Sequence, residues 1–560
     1  MRRFFLAGGA ALLATALVTA LAACSGSSSG SGSSGSTAGG PSGTLVISNE
    51  QGTQWNCSFN PFNPGNLGEG VTMGQVYEPL MFVDTLNNGK VSPWLATGYA
   101  WSNGNTTLTF TIQQGVTFSD GKPMTAADVA FTFNLLKKFP DLDVNSVWSV
   151  LSSVTQQGNT VVMDFKAPSV PYFYYIADQI PIVPQHVWST IKNPVTYADS
   201  NPIGTGAYTV SPCTPQNITY LANAHYWQKG LPKIAKVLYP AFTSNDPANT
   251  YLATGQAQWG SQFIPNINAV YTSKSPDNHY WFAPIANVSL IPNLTVPGLN
   301  NVQVRQAIAY AIDRSKVASV GEYGEEPGAN QNGIATPTFS AWMDATDAAK
   351  YNYGYNPAKA QSLLQQAGYT KGSDGIYAKG GQKLAFTVIN IGGYSDWVAS
   401  MSVIQSELKA VGISLTADNL AQNDYLSRLY AGSYQFAYYA ETGGPTPYYE
   451  FRQWLYSANS APIGKNAASN WERYSNPATD KLLDNYALTT DTATQHGIVD
   501  QLQQVVLSDV PYIPITEEVG WFQYNTSHFT GWPSPSNPYA IPAAYAYPDM
   551  GQVLLHLAPK

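Results

Sequence analysis

At four places the chain sets a flat aromatic ring beside an amide or a carboxylate. They are Trp55 with Asn56, Trp259 with Gln262, Asp396 with Trp397, and the pair Tyr448 and Tyr449 in the segment that carries Glu441, Gly443 and Gly444. A ring gives a face on which apolar C–H groups stack, and the amide or acid beside it exchanges hydrogen bonds with hydroxyls. That pairing suits capture of a ligand with flat faces and a polar rim, such as a pyranose. One ~50 Å² face contributes about 1 kcal/mol at roughly 25 cal/mol/Å². Micromolar binding needs about 8 kcal/mol, so several rings must act together. Each ring also has a plain reading as core packing. Phe451 and Trp454 follow a turn at helical spacing and read as core, whereas Tyr438 and Tyr439 sit on one strand, so alternation points one of them inward.

Bond-making chemistry finds no foothold. The six histidines, His186, His225, His279, His496, His528 and His556, have no zinc-type spacing to one another or to a cysteine pair. The "GTG" at 204–206 lacks the third glycine and the acidic residue of a dinucleotide loop. "GSSSG" at 26–30 matches a hydrolase nucleophile by letters only, with no strand before it or helix after it. Asp509 and Glu517-Glu518 are acidic, but nothing marks a paired acid and base. No metal, cofactor or catalytic residue is expected. A secreted glycosidase is the enzymatic alternative.

Composition narrows the class. With 27 basic and 35 acidic residues the formal net charge is −8, and no Lys/Arg cluster offers a surface to nucleic acid. Aromatics reach 13%, with 36 Tyr against 21 Phe; tyrosine is the ring that stacks while hydrogen-bonding to water. At 560 residues the chain needs more than one core.

The N-terminus reads as an export signal. Arg2 and Arg3 precede an apolar run from Phe4 to Ala23 that ends "LAAC". A membrane-spanning helix is the other reading of that run. Small residues just before Cys24 resemble a lipobox, which makes residues 1–23 a lipoprotein signal peptide and Cys24 the lipidated first residue. "RRFFL" also matches a twin-arginine signal, so the export route stays open. Residues 24–43 form a tether, since 16 of the 19 residues from Ser25 to Gly43 are Ser or Gly. Such a chain buries no apolar surface and reaches roughly 24 Å. The body is expected at the outer face of a bacterial cytoplasmic membrane, held by lipid. Outside the cytoplasm the two remaining cysteines, Cys57 and Cys213, read as a disulfide.

Strands and helices alternate through the body, an α/β pattern. "TLVIS" from Thr44 is a strand, and Leu108, Phe110 and Ile112 alternate with Thr as a half-buried one. Thr125 with Asp128 forms a capping box ahead of Val129, Phe133 and Leu136. Asn301 caps a helix, Asn356-Pro357 opens another that Gly368 closes, and Ser395 opens a third that Gly412 stops.

Five segments, "FTIQQGVTFSDGKPMTAADVAFTF", "NPIGTGAYTV", "VRQAIAYAIDR", "YNPAKAQSLLQQAGY" and "VVLSDVPYIPI", fall in the order found in one family. The chain resembles the extracytoplasmic solute-binding proteins of ABC importers, oligopeptide/dipeptide group, family 5. The resemblance implies a two-lobed, type II periplasmic-binding-protein-like α/β fold with an inserted extra domain and a ligand cleft between the lobes. It places lobe I at 44–80, 201–297 and 516–560, the insertion at 81–200 and lobe II at 298–515. It implies a non-enzymatic monomer that delivers an oligomeric solute to permease subunits with an associated ATPase.

Peptide-binding members carry an Asp for the peptide α-ammonium in a pattern like Trp-x-x-Asp-Tyr-x-x-Pro. After "FAYYA" this chain has Glu441 and Pro445 instead, with no Asp and no preceding Trp. "GGPTPYYEF" and "AQWGSQFIPNI" are similar to segments of members that bind β-linked oligosaccharides. A β-linked oligosaccharide is therefore the expected ligand and an oligopeptide the alternative.

Overall fold

The computed structural model describes residues 40–49, 54–63, 68–87, 89–344, 346, 353–440 and 443–560. Cys24, the signal and most of the tether lie outside these residues, as does Glu441. The body begins at the strand Ser42–Ser48, so the last two residues of the expected tether are already in a sheet. Leu45 and Ile47 anchor that strand because both are fully buried.

Two sheets dominate. The first has seven strands in the order Asn278–Tyr280, Gln523–Asn525, Trp259–Gly260, Ser42–Ser48, Ile234–Pro240, Asn217–Ala222, Tyr208–Val210. The second has five, in the order Ser414–Leu420, Ala385–Ile391, Phe436–Ala440, Ala283–Pro292, Ile513–Gly520. Ala385–Ile391 and Ser414–Leu420 run parallel. Parallel neighbours need a crossover, and the helix Ser395–Val411 supplies it. A separate four-stranded antiparallel sheet is built from Ala96–Ser102, Thr107–Ile112, Thr160–Phe165 and Leu151–Gln157. Each large sheet has its own core, one around Ile47, Val237 and Phe522, the other around Val288, Ile404 and Ile513.

The chain passes between the two sheets along one antiparallel pair. Ala283–Pro292 follows directly on Asn278–Tyr280, and Ile513–Gly520 leads directly into Gln523–Asn525. They are paired from Ala283 opposite Gly520 to Leu290 opposite Ile513, with register shifts near Pro284 and Val288. These two strands carry the chain from one sheet to the other.

Local signals are realised as side-chain bonds. Thr125 and Asp128 close a capping box on Ala126–Lys138. Asn301 accepts from the Gln303 amide at 2.9 Å, and Asn356 from the Lys359 amide at 2.9 Å. Gly412 ends its helix at φ +95°, a conformation that glycine adopts without strain. Cys57 and Cys213 are disulfide-bonded, with Cα atoms 5.8 Å apart.

Candidate functional site

A cavity of about 400 Å³ lies between the sheets, with walls from both. On the second sheet the strand Ala385–Ile391 ends at the wall, and Gly392-Gly393 turn the chain into Tyr394 and the helix Ser395–Val411. A side chain at Gly393 would meet the Thr243 carbonyl at 2.7 Å, so the close approach of these segments needs glycine. The first turn of the helix sets Asp396 and Trp397 on the wall. Trp397 is held edge-on by Tyr394 at 5.1 Å and Tyr438 at 5.3 Å. The strand Phe436–Ala440 alternates, with Tyr438 in the core and Tyr439 on the cavity.

The first half contributes Asn49, Tyr239 and Phe263, and the C-terminal segment adds Trp521, Tyr545 and Tyr547. Trp521 packs on Phe263 at 5.5 Å. Asn49 donates to the Tyr239 hydroxyl at 3.0 Å, while its own carbonyl oxygen is buried without a partner. Ten of the 26 residues on the wall are aromatic, and none of the described ones is Lys, Arg or His.

Three carboxyls reach the wall: Asp396, Glu518 and Asp549. Asp396 accepts from the Asn245 side chain at 3.2 Å; burial raises it to about 6, against the opposing backbone amides of the helix start. Glu517 and Glu518 are consecutive on a strand and so face opposite ways. Glu517 accepts from the Thr336 amide and hydroxyl and from Asn330. Glu518 faces the cavity; burial, then the Asp396 charge, pushes it up to about 8. Asp549 accepts from the Ile541 amide at 2.7 Å and is raised to about 7 by burial, with a smaller contribution from Asp84.

The expected ligand residues divide. Asp396, Trp397 and Gly443 meet at the wall. Trp55 stands one layer back, donating to the Tyr239 carbonyl at 2.9 Å with its ring edge-on to Tyr239. Tyr449 also stands back: its hydroxyl donates to the Pro171 carbonyl at 2.6 Å, and its ring packs on Tyr174, which lines the cavity. Trp259 is core instead, fully buried among Phe522 and Trp532 with its indole N–H bonded to Pro542. Gln262 is fully buried and bonds Ser48 and the Ser261 amide, so it is spent on structure. Tyr448 stacks on Tyr486 at 4.4 Å inside the second core. Asn56 is exposed and accepts from the Ser58 amide. Gly444 lies against Tyr449, where a side chain would meet the ring at 2.6 Å.

Sequence reasoning missed Tyr239, Tyr394, Tyr430, Trp521, Tyr545 and Tyr547. Tyr545 and Tyr547 lie in a turn ahead of the last helix, with the Ala546 amide bonded to the Ala543 carbonyl, so strand alternation gives no signal for them. Among the described residues no group of three His, Cys, Asp or Glu is placed to hold a metal ion, and no helix is long and apolar enough to cross a membrane.

Comparison with known proteins agrees with the fold. The chain is 25% identical to the glutathione-binding protein of Salmonella typhi over 490 residues, covering 82% of this chain and 87% of the other. A mannohexaose-bound structure of a Thermotoga maritima periplasmic oligopeptide-binding protein superposes with a TM-score of 0.86 at 26% identity, over 92% of this chain and 98% of that one. The Bacillus subtilis oligopeptide-binding protein in complex with a nonapeptide shares the fold, with a TM-score of 0.80 at 20% identity over 93% and 99%. The family model for bacterial extracellular solute-binding proteins, family 5 middle, matches residues 90–462. That match spans more than half of the sequence, and the chain belongs to family 5 of the bacterial extracellular solute-binding proteins.

Proposed function

We propose that the cavity takes a β-linked oligosaccharide, which the protein captures outside the membrane and hands to a permease. The chain is the substrate-binding component of an ABC importer, a transport component rather than an enzyme. One observation carries the sugar reading: ten aromatic residues on the cavity wall with no basic residue among the described ones. Rings on both halves can stack on the apolar faces of a pyranose, and closure of the halves around the ligand excludes water from those contacts. The likeness to a mannohexaose-bound structure supports the same direction. We also propose that Cys24 carries the lipid anchor, a reading supported by "LAAC" and the Ser/Gly tether after it.

The peptide reading rests on a different observation. Glu518 presents a carboxyl to the cavity, where an α-ammonium would find a partner. A peptide would also bring a carboxylate, for which the described wall offers no cation. Titration of tryptophan fluorescence against matched sugar and peptide panels separates the two, because Trp397 and Trp521 border the cavity. A response to β-linked di- to pentasaccharides is expected. Micromolar binding of peptides with no response to any sugar would leave the oligopeptide importer standing.

A further inference from the structure

The acidic side of the cavity has no counter-charge. Glu518 is only 8% exposed, lines the cavity, and its carboxyl has no hydrogen-bond partner among the described residues. Asp396 beside it is 4% exposed and accepts from Asn245. Behind them stand Glu322 and Glu326, both fully buried. Glu322 accepts from Ser400 at 2.7 Å and Glu326 from Thr516 at 2.9 Å, and each keeps one carboxyl oxygen without a partner. Burial first, then the neighbouring acids, holds both well above the ordinary carboxylate range. Asp549 adds a third wall carboxyl, with Asp178 and Asp84 as its acidic neighbours.

Burial and crowding by like charges make these carboxyls costly to ionise, and a cation beside them offsets that cost. A hydroxyl would give Glu518 one hydrogen bond and leave the crowding as it was. A metal ion is a poor answer, because no three of the described acids converge on one point. A ligand that carries its own cations answers both the acids and the rings.

We propose that the ligand is an oligosaccharide of amino sugars, whose protonated amino groups are received by Glu518 and Asp396 on one side of the cavity and by Asp549 on another. This rests on the oligosaccharide reading above and narrows it to cationic sugars. The stacking faces come from the rings, and the charge selectivity comes from three wall carboxyls with no basic residue among the described wall residues. An ammonium bonded to a carboxylate is a charge-assisted hydrogen bond, stronger than the bond a neutral hydroxyl makes at the same place.

The test is calorimetric titration of the full chain at neutral pH with three β-1,4-linked tetramers of one backbone: glucosamine, N-acetylglucosamine and glucose. The glucosamine tetramer is expected to bind at least about tenfold more tightly than the other two. Acetylation keeps the nitrogen and removes its charge, so it isolates the electrostatic effect. Glu518→Gln should reduce that preference about tenfold, and Asp396→Asn should reduce it too, with thermal melts confirming that each variant is folded. Equal or tighter binding of a neutral tetramer overturns the cationic-sugar inference and leaves the oligosaccharide reading in place. Failure of all three tetramers to bind overturns the cationic-sugar inference, and the wider panel of β-linked sugars then decides the oligosaccharide reading.

Discussion

Asn245 donates its side-chain amide to the Asp396 carboxylate at 3.2 Å across 151 residues of chain. Asn245 opens the helix Asn245–Ala253, which is tied to the first sheet by the bond from Ser48 to the Ala248 carbonyl. Asp396 opens off the second sheet, so this buried bond joins the two halves at the cavity wall. Removing it by Asn245→Ala leaves an acid with one fewer donor and takes away one tie between the halves. A hydrogen bond to a charged group contributes about 1.5–3 kcal/mol, so ligand affinity should fall about tenfold or more. Calorimetric titration reads the loss, and unchanged affinity would show that the bond does not help to hold the halves together.

The elements that depend on short-range chemistry were legible in the sequence, and the site was legible only in part. Thr125 with Asp128, Asn301 and Asn356 act within a turn of where they stand, so their caps can be read from neighbouring letters. Asp396 and Trp397 read as a ring beside an acid, and the helix start sets both next to the strand end that meets the cavity. Trp259 and Tyr448 are equally aromatic but are buried in core, and only tertiary packing decides that. Glu518 was visible as an acid but not as a wall residue. Its neighbours Asp396, Glu322 and Glu326 lie 122 to 196 positions away in sequence, beyond the reach of any local pattern.

The two tryptophans Trp259 and Trp397 should respond differently to truncation. Trp259→Ala opens a fully buried site and loses the bond to Pro542, which should cost about 3–5 kcal/mol of stability. Trp397→Ala removes a ring from the cavity wall and should weaken ligand binding by about 1–3 kcal/mol. Thermal melts paired with titration distinguish them. Loss of affinity in a still-folded Trp259→Ala greater than in Trp397→Ala would reverse the assignment.

The disulfide braces the cavity from behind. Cys57 and Cys213 tie two segments together, and two residues earlier the Trp55 amide bonds the Pro215 carbonyl. Trp55 in turn supports Tyr239. Reduction should cost about 2–5 kcal/mol of stability. Alkylation of the oxidised, denatured protein should find neither thiol free, and a melting temperature unmoved by reductant would count against a structural role for the bond.

Acidity should stabilise the ligand-free protein over an unusual range. Burial raises Asp396 to about 6, Asp549 and Glu517 to about 7, and Glu518 to about 8, so each binds a proton more tightly folded than unfolded. The groups that crowd them are acids: Asp396, Glu322 and Glu326 around Glu518, and Asp178 and Asp84 around Asp549. A carboxyl with a raised folded pKa gives its full stabilisation below its unfolded pKa and loses it as pH rises through the folded one. Stability should therefore decline between about pH 5 and pH 8, by about 2 kcal/mol or more. Glu518→Gln stays neutral throughout, so its profile should be flatter at the upper end of that range. Denaturant midpoints measured at intervals across the range provide the check. A wild-type midpoint that rises toward pH 8, or a variant with the same slope as the wild type, would mean that Glu518 is already ionised and satisfied in the folded protein.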